Sequence, residues 1–241
     1  MDFSRLGAVF VELHHPRPGA ELVGTRLCLA CVDVLAVDHA GILLVGTDGG
    51  STSFGTSDAT PVGIVADLQF TLGEGPGLDA HAHGHPVLEP DLCRPSSAHW
   101  SAFAAAALRH GVRGVFSFPL RTGPSRLGAL DLSCTAAGAL SDGQLADAVV
   151  MAEVVTQVLL AAQADARPGG LAAGFGDPRS LRLEVHQAAG MLSEQLDIRA
   201  ADALVLLRAH AYAGNRPIDA VAHEVVTRVL RIDAGLDGNG G

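Results

Sequence analysis

The chain has no lysine. All 16 of its basic side chains are arginine, set against 26 Asp and Glu. A formal net charge of −10 at pH 7 excludes a broadly basic surface, the usual footprint of a nucleic-acid binder. The deficit is uneven: residues 1–176 carry 9 Arg against 17 acidic side chains (−8), and residues 177–241 carry 7 against 9 (−2). Four cysteines at irregular spacing do not make a disulfide-stapled scaffold. Cys28 and Cys31 form a lone CxxC on an apolar helical stripe, with no second pair and no preceding strand. They read as core thiols rather than as metal or redox ligands. No apolar run approaches the roughly 20 residues of a membrane span, and no N-terminal stretch has the order of a secretory signal. The expected compartment is therefore the cytoplasm. No internal repeat is visible.

What the chain does have is apolar material, 48% of 241 residues, ample for two domains. Residues 4–14 and a stripe of Leu27, Cys31, Val34 and Leu35 read as helices. Gly41–Val45 reads as a buried strand, turned by Thr47-Asp48-Gly49-Gly50 into a weak partner at Ser51–Gly55. Helix is expected over 58–68, a loop over 72–77, a short extended piece at 86–88 and helix over 99–110. Val115–Leu120 and Gly128–Ser133 read as strands around a turn at 122–125. Ser141-Asp142-x-Gln144 caps a long helix over 142–165. That order predicts an α+β domain with a mostly antiparallel sheet over residues 1–163. The Gly-, Ala- and Pro-rich stretch 164–179 reads as a linker, and 234–241 as a disordered tail.

Between them, residues 180–233 read as three short amphipathic helices. The first carries Leu181, Val185, Ala188 and Leu192 on one face and breaks at Asp197-Ile198. The second carries Ala200, Ala203, Leu204, Leu207 and Ala211 and stops at Gly214-Asn215. Pro217 restarts the chain into a third with Ile218, Val221, Ala222, Val225 and Val229. Three such helices on short loops can close around one small core.

Two resemblances follow from particular residues. Gln187-Ala188-x-Gly190-Met191-Leu192, Ala203…Leu207-Arg208 and Arg216-Pro217-Ile218…Val221-Ala222 resemble the ANTAR domain, an RNA-binding module of bacterial antitermination regulators. Phe70-x-Leu72-Gly73-Glu74-Gly75-Pro76-x-Leu78-Asp79-Ala80, Gly84-x-Pro86-Val87, Pro90-Asp91-Leu92, Gly111-Val112-Arg113, Pro119-Leu120 and Leu127–Leu132 resemble a GAF domain of the kind found ahead of ANTAR in actinobacterial proteins. The chain departs at Ala189, where the ANTAR pattern usually has a basic residue, and at Gly77, where a Cys often follows Gly-Glu-Gly-Pro. The resemblance implies an α+β GAF sensor, its antiparallel sheet flanked by helices, followed by an all-α three-helix ANTAR domain. It implies a homodimer that binds stem-loops in nascent mRNA and responds to a small-molecule or protein signal at the GAF domain. No cofactor, metal or membrane is implied.

Candidate RNA-binding residues are Arg182, His186, Arg208, Tyr212 and Arg216, together with Ala188 and Gly190, whose small size would let the backbone approach RNA. Arg208 lies four residues before Tyr212 on one helix face. A guanidinium beside an aromatic suits a loop whose bases stack while its phosphates are neutralised. Candidate pocket residues in the GAF domain are Leu72, Trp100 and Phe103, which could equally complete the core. His81-x-His83-x-His85 would project to one side of an extended segment, as metal ligands can, although Gly84 and Pro86 argue for an ordinary loop. Cys93, with Cys134 as resolving thiol, would be the centre of a methionine sulfoxide reductase, as in some GAF proteins. No Ser/His/Asp constellation is present, and the chain is expected not to be an enzyme. The rival reading is a GAF/ANTAR module that dimerises or binds protein without binding RNA.

Overall fold

The computed structural model describes residues 22–46, 51–57, 64–94, 98–164, 183–214, 216 and 218–232. The helix expected at 4–14, the linker beyond Ala164 and the tail lie outside them. The chain divides into two compact units, residues 1–178 and 179–241.

The first unit is built on an antiparallel sheet of five strands in the order β2-β1-β5-β4-β3. These are β1 (His39–Val45), β2 (Ser51–Thr56), β3 (Val87–Glu89), β4 (Gly114–Thr122) and β5 (Ser125–Cys134). The weak strand at 51–55 is real and pairs with β1. Strand periodicity sorts the side chains: Phe116, Phe118 and Leu120 of β4 and Leu130 and Leu132 of β5 point to one face, Val115, Ser117 and Asp131 to the other. On the first face pack α1 (Val23–Leu35) and α5 (Asp142–Ala164). Cys28 and Cys31 are core thiols there, and burial pushes Cys31 up to about 12, far from any reactive thiolate.

Ser141 and Gln144 form the expected capping box: the Gln144 amide donates to Ser141 Oγ (3.3 Å) and the Ser141 amide to Gln144 Oε1 (3.0 Å). Gln144 also donates to the Leu35 carbonyl at 2.8 Å, tying the start of α5 to the end of α1. By length and composition Asp142–Ala161 could cross a membrane, with a mean hydropathy of 1.5, contrary to the sequence expectation. A stripe of Ala148, Met151, Ala152, Val155 and Leu159 is buried on the sheet, and 39% of that span is buried in all.

The opposite face is covered by α2 (Ile64–Leu72), α3 (Pro76–His83) and α4 (Ser101–Arg109). Here the structure corrects the sequence reading. The expected helix over 58–68 runs later, to Leu72, with 58–63 outside the described residues, and the expected loop gives way to a helix from Pro76. The stop and start signals were present: Pro76 occupies the first helical position and Gly84 closes the helix at φ +74°.

The second unit is α6 (Leu183–Leu196), α7 (Ala200–Ala213) and α8 (Ile218–Val226). Val185, Ala188, Ala189 and Leu192 of α6 meet Ala203, Leu204, Leu207 and Ala211 of α7 and Ile218, Val221, Ala222 and Val225 of α8 in its core. Each set follows the i, i+3, i+4 spacing of one helix face. The third helix is shorter than expected. It ends at Val226, and Val229, expected on its buried face, is 77% exposed.

One contact in the first unit has no room for a methyl group. Gly24 of α1 lies directly against the backbone of Gly55 in β2, so a Cβ on either would overlap the other chain segment. Gly55→Ala is expected to cost about 1–3 kcal/mol in urea unfolding, as overpacking does. Gly143→Ala, at an exposed helical position open to solvent, is expected to be neutral or slightly stabilising.

Candidate functional site

Each unit offers a candidate. In the first, the centre of the α2–α3–α4 face is polar. Asp131 on β5 is 2% exposed and lies in register with Ser117 on β4. Ser117 Oγ donates to Asp131 Oδ1 at 2.5 Å, and Gln69 Nε2 of α2 donates to Oδ2 at 2.6 Å. The Gln69 carbonyl oxygen in turn accepts the Gly77 amide at 2.6 Å. That amide is one of the N–H groups left unsatisfied at the start of α3. The chain of bonds therefore runs from sheet to α2 to α3 without leaving a polar atom idle.

Neighbouring acids pin the same region. Glu74 accepts the Phe103 amide in the first turn of α4 at 2.8 Å, and Asp79 accepts Trp100 Nε1 at 3.0 Å. The Gly-Glu-Gly-Pro stretch is thus a strap held by hydrogen bonds at Gly73, Glu74 and Gly75 and leading into the helix at Pro76. Gly75 adopts φ +145°, open to glycine alone, and a Cβ at Gly77 would lie 2.6 Å from Asp131 Oδ1. No side chain at position 77, cysteine included, fits while Asp131 occupies its place. Of the sequence-predicted pocket residues, Trp100 is 4% exposed, Phe103 is fully buried, and Leu72 packs against the same cluster.

The histidine reading is also corrected. His81 and His83 lie on α3, so residues two apart point to different sides of the helix instead of to one side of an extended segment. Burial, and then the Arg126 guanidinium, holds His81 below its ordinary range, whereas His83 and His85 stack at a ring separation of 5.4 Å. Among the described residues no group of three His, Cys, Asp or Glu could hold a metal ion. Cys93 is exposed, in a turn where its amide donates to Asp91 Oδ1 at 3.0 Å. Burial raises the Cys134 thiol, which disfavours its thiolate, and all four cysteines are free.

In the second unit the predicted RNA residues separate. Tyr212 is 66% exposed on α7, one turn after a half-buried Arg208. His186 and Gly190 lie four residues apart on α6 and are both exposed. Ala188 is not available to a ligand: it is fully buried in the three-helix core, where its small size lets helices approach each other. Ala189 is 3% exposed for the same reason, since i+3 and i+4 from Val185 both face inward. Arg216 is committed to Glu224 through a bidentate pair, Nη1–Oε2 at 3.0 Å and Nη2–Oε1 at 2.5 Å. That guanidinium holds the Glu224 carboxyl below its ordinary range. Arg182 lies outside the described residues. Sequence reasoning missed Arg228 and Arg231, which line a groove of 590 Å³ with Gly190, Met191, Val225 and Leu230. The helical period was carried through Val229, which hid the fact that the helix stops before Arg228.

No protein-family model and no curated protein matches the chain. Solved structures similar to it include the GAF domain of a phosphoenolpyruvate-protein phosphotransferase from Coxiella burnetii, 15% identical, covering 66% of this chain and 95% of that one at a TM-score of 0.49. The corresponding GAF domain from Acinetobacter is 11% identical, with 69% and 99% covered and a TM-score of 0.48. A type II free methionine-R-sulfoxide reductase from Thermoplasma acidophilum is 15% identical, with 56% and 90% covered and a TM-score of 0.42. These are likenesses of outline and do not assign the chain to a family.

The buried carboxylate makes a prediction. Burial raises Asp131 from 3.8 to about 6, against the opposing bonds from Ser117 and Gln69. The folded state therefore binds a proton that the unfolded state has released, and stability falls as pH rises from about 4 to about 6, then levels off. The full effect is about 3 kcal/mol. Asp131→Asn should remove it. Urea unfolding of both proteins from pH 4 to 7 checks this, because the other carboxylates cancel in the difference. Parallel stability curves would show that Asp131 does not titrate in that window.

Proposed function

We propose that the chain is a two-part regulator of transcription. The first unit is a GAF-type sensor for a small-molecule or protein signal. The second is an ANTAR-type three-helix unit that binds stem-loops in nascent mRNA and so prevents a terminator from forming. The protein acts as a homodimer in the cytoplasm, by binding free energy rather than bond chemistry.

The observation that carries this reading is the α7 face. Tyr212, the only tyrosine, is 66% exposed one turn beyond Arg208. It contributes little to the core of its own unit and offers a ring on which an unstacked base can lie, worth about 1–3 kcal/mol per base. The motif residues around it support the same reading. The sensor reading is supported by the Gly73–Asp79 strap and by the five-stranded antiparallel sheet flanked by helices.

The rival is a module that dimerises or binds protein without RNA. It is favoured by the net −2 of residues 177–241 and by Ala189, buried where the ANTAR pattern usually has a basic residue.

A filter-binding titration of the full chain against RNA with two short hexaloop stems, across a salt series, separates the two. RNA binding should weaken steeply with salt as phosphate contacts are lost. Arg208→Glu combined with Tyr212→Ala should weaken it more than tenfold. Tyr212→Ala alone, at an exposed position, should weaken it about tenfold without changing the helical circular dichroism. Arg216 is the wrong choice for this test, because charge reversal there would break its pair with Glu224. No binding by the wild type, or equal binding by the double variant, would remove the basis for the RNA assignment at this face.

A further inference from the structure

We propose that the groove bounded by α6 and the segment following α8 holds one unstacked nucleotide of an RNA loop. The base lies against Met191, Val225 and Leu230, and the adjoining phosphates meet Arg228 and Arg231. This rests on the RNA reading above and adds to it a second contact surface that the motif residues do not include.

The first observation is the backbone. α8 ends in a left-handed stop: the Arg228 amide donates to the Val225 carbonyl at 3.0 Å and the Val229 amide to the Glu224 carbonyl at 2.8 Å. This is the paired closure in which glycine is the default, because the residue between the two bonds must adopt positive φ. Arg228 adopts φ +60° there. Elsewhere left-handed helix ends are filled by Gly84 at φ +74° after α3, Asp197 at φ +51° after α6 and Ala36 at φ +50° after α1. An arginine at the strained position is exposed, so burial does not explain it. Ala36 keeps the same strain with a side chain that bears no charge, so what marks Arg228 is a cation at such a position on the rim of a groove.

The second observation is the groove. Its 590 Å³ falls within the roughly 300–1,000 Å³ of small-molecule sites, which suits one nucleotide and not a duplex. Met191 and Leu230 are half-buried and Val225 is buried, an apolar lining for a base face. Gly190 adds no side chain, and a Cβ there would have nothing within 4 Å, so the α6 backbone is open beside the lining. Two guanidiniums three residues apart supply positive charge at a site where the whole chain is negative, which is the complement of successive phosphates. Glu194 and Gln195 complete the lining. A carboxylate there repels phosphate and accepts from an amino group, so the favoured base carries an exocyclic amine, as adenine, cytosine and guanine do and uracil does not.

The test uses the full chain and the two-hexaloop RNA, with Arg228→Gly, Arg231→Ala and the double variant. Each single change should weaken binding about tenfold and lower the slope of log K against log salt by about 1. Arg228→Gly should at the same time raise the melting temperature, because glycine relieves the left-handed residue. A variant that is more stable yet binds less well cannot have lost affinity by misfolding. Replacing every loop base with uracil should weaken wild-type binding, and a free nucleoside 5′-monophosphate should not compete at concentrations that saturate with RNA. Wild-type RNA binding that the double variant retains at equal affinity and slope overturns the groove and leaves the α7 reading standing. Failure of the wild type to bind RNA overturns both. Competition by the free nucleotide as effective as that of RNA makes the groove a site for a soluble nucleotide and overturns the RNA occupant.

Discussion

A carboxylate in the middle of a sheet covered on both faces cannot be left without partners, and in the first unit Asp131 dictates much of what surrounds it. Its two oxygens take Ser117 from the neighbouring strand and Gln69 from α2. Gln69 is then free to accept only what its carbonyl can reach, which is the first turn of α3 at Gly77. That fixes where α3 begins, and with it the sharp strap over 73–75, where Gly75 takes a conformation closed to other residues. Glu74 and Asp79 anchor the strap to α4 and Trp100. Replacing one member would leave a buried polar group unsatisfied, at a cost of about 1–3 kcal/mol. The strap is therefore determined by hydrogen-bond accounting more than by apolar packing.

This explains what could and could not be read from the sequence. The strands at 114–122 and 125–134 were legible because alternation and the 122–125 turn act locally, and the start of α5 was legible because Ser141 and Gln144 satisfy each other within four residues. The start of the helix at 76–83 was read as loop because the glycines around it are those of a turn. Its helicity depends on Gln69 and on the sheet, both remote from it. The same error put three histidines on one side of an extended segment. Gln69 and Asp131 carry no local signal at all, since 62 positions separate two residues that share a bond of 2.6 Å.

The second unit fails and succeeds differently. Helical period placed most of the core, because three short helices have few ways to bury their apolar stripes, but Ala200 and Val229 are exposed, Ala189 is buried unforeseen, and Leu181 lies outside the described residues. It could not say which arginines were spoken for. Arg216 faces Glu224 across a turn, and the pairing depends on how the chain re-enters α8. From the motif, Ala188 read as small, open surface and Ala189 as the loss of a basic residue from a binding face. In the fold both face inward, where alanine permits close helix approach. A basic side chain at 189 would have to run out along the helix to reach water. Its absence therefore removes a charge from the face and lets the helices pack more closely at the same time.

Arg228 has one purely local explanation that must be weighed. A cation at a helix C-terminus interacts favourably with the aligned peptide dipoles, by about 0.3–1 kcal/mol at an exposed position. The left-handed conformation costs a non-glycine residue about 1–2 kcal/mol. The dipole therefore offsets only part of the strain, and a cation could obtain the same benefit one turn earlier at no backbone cost. His223 already stands in the last turn of α8. What position 228 offers that the helix does not is direction. A left-handed residue turns its side chain off the helix axis and into the groove beside Gly190 and Met191. In a chain of net charge −10 a diffuse basic face is not available. Affinity for phosphate then has to come from single guanidiniums aimed by the backbone, and a strained helix end is a means of aiming one.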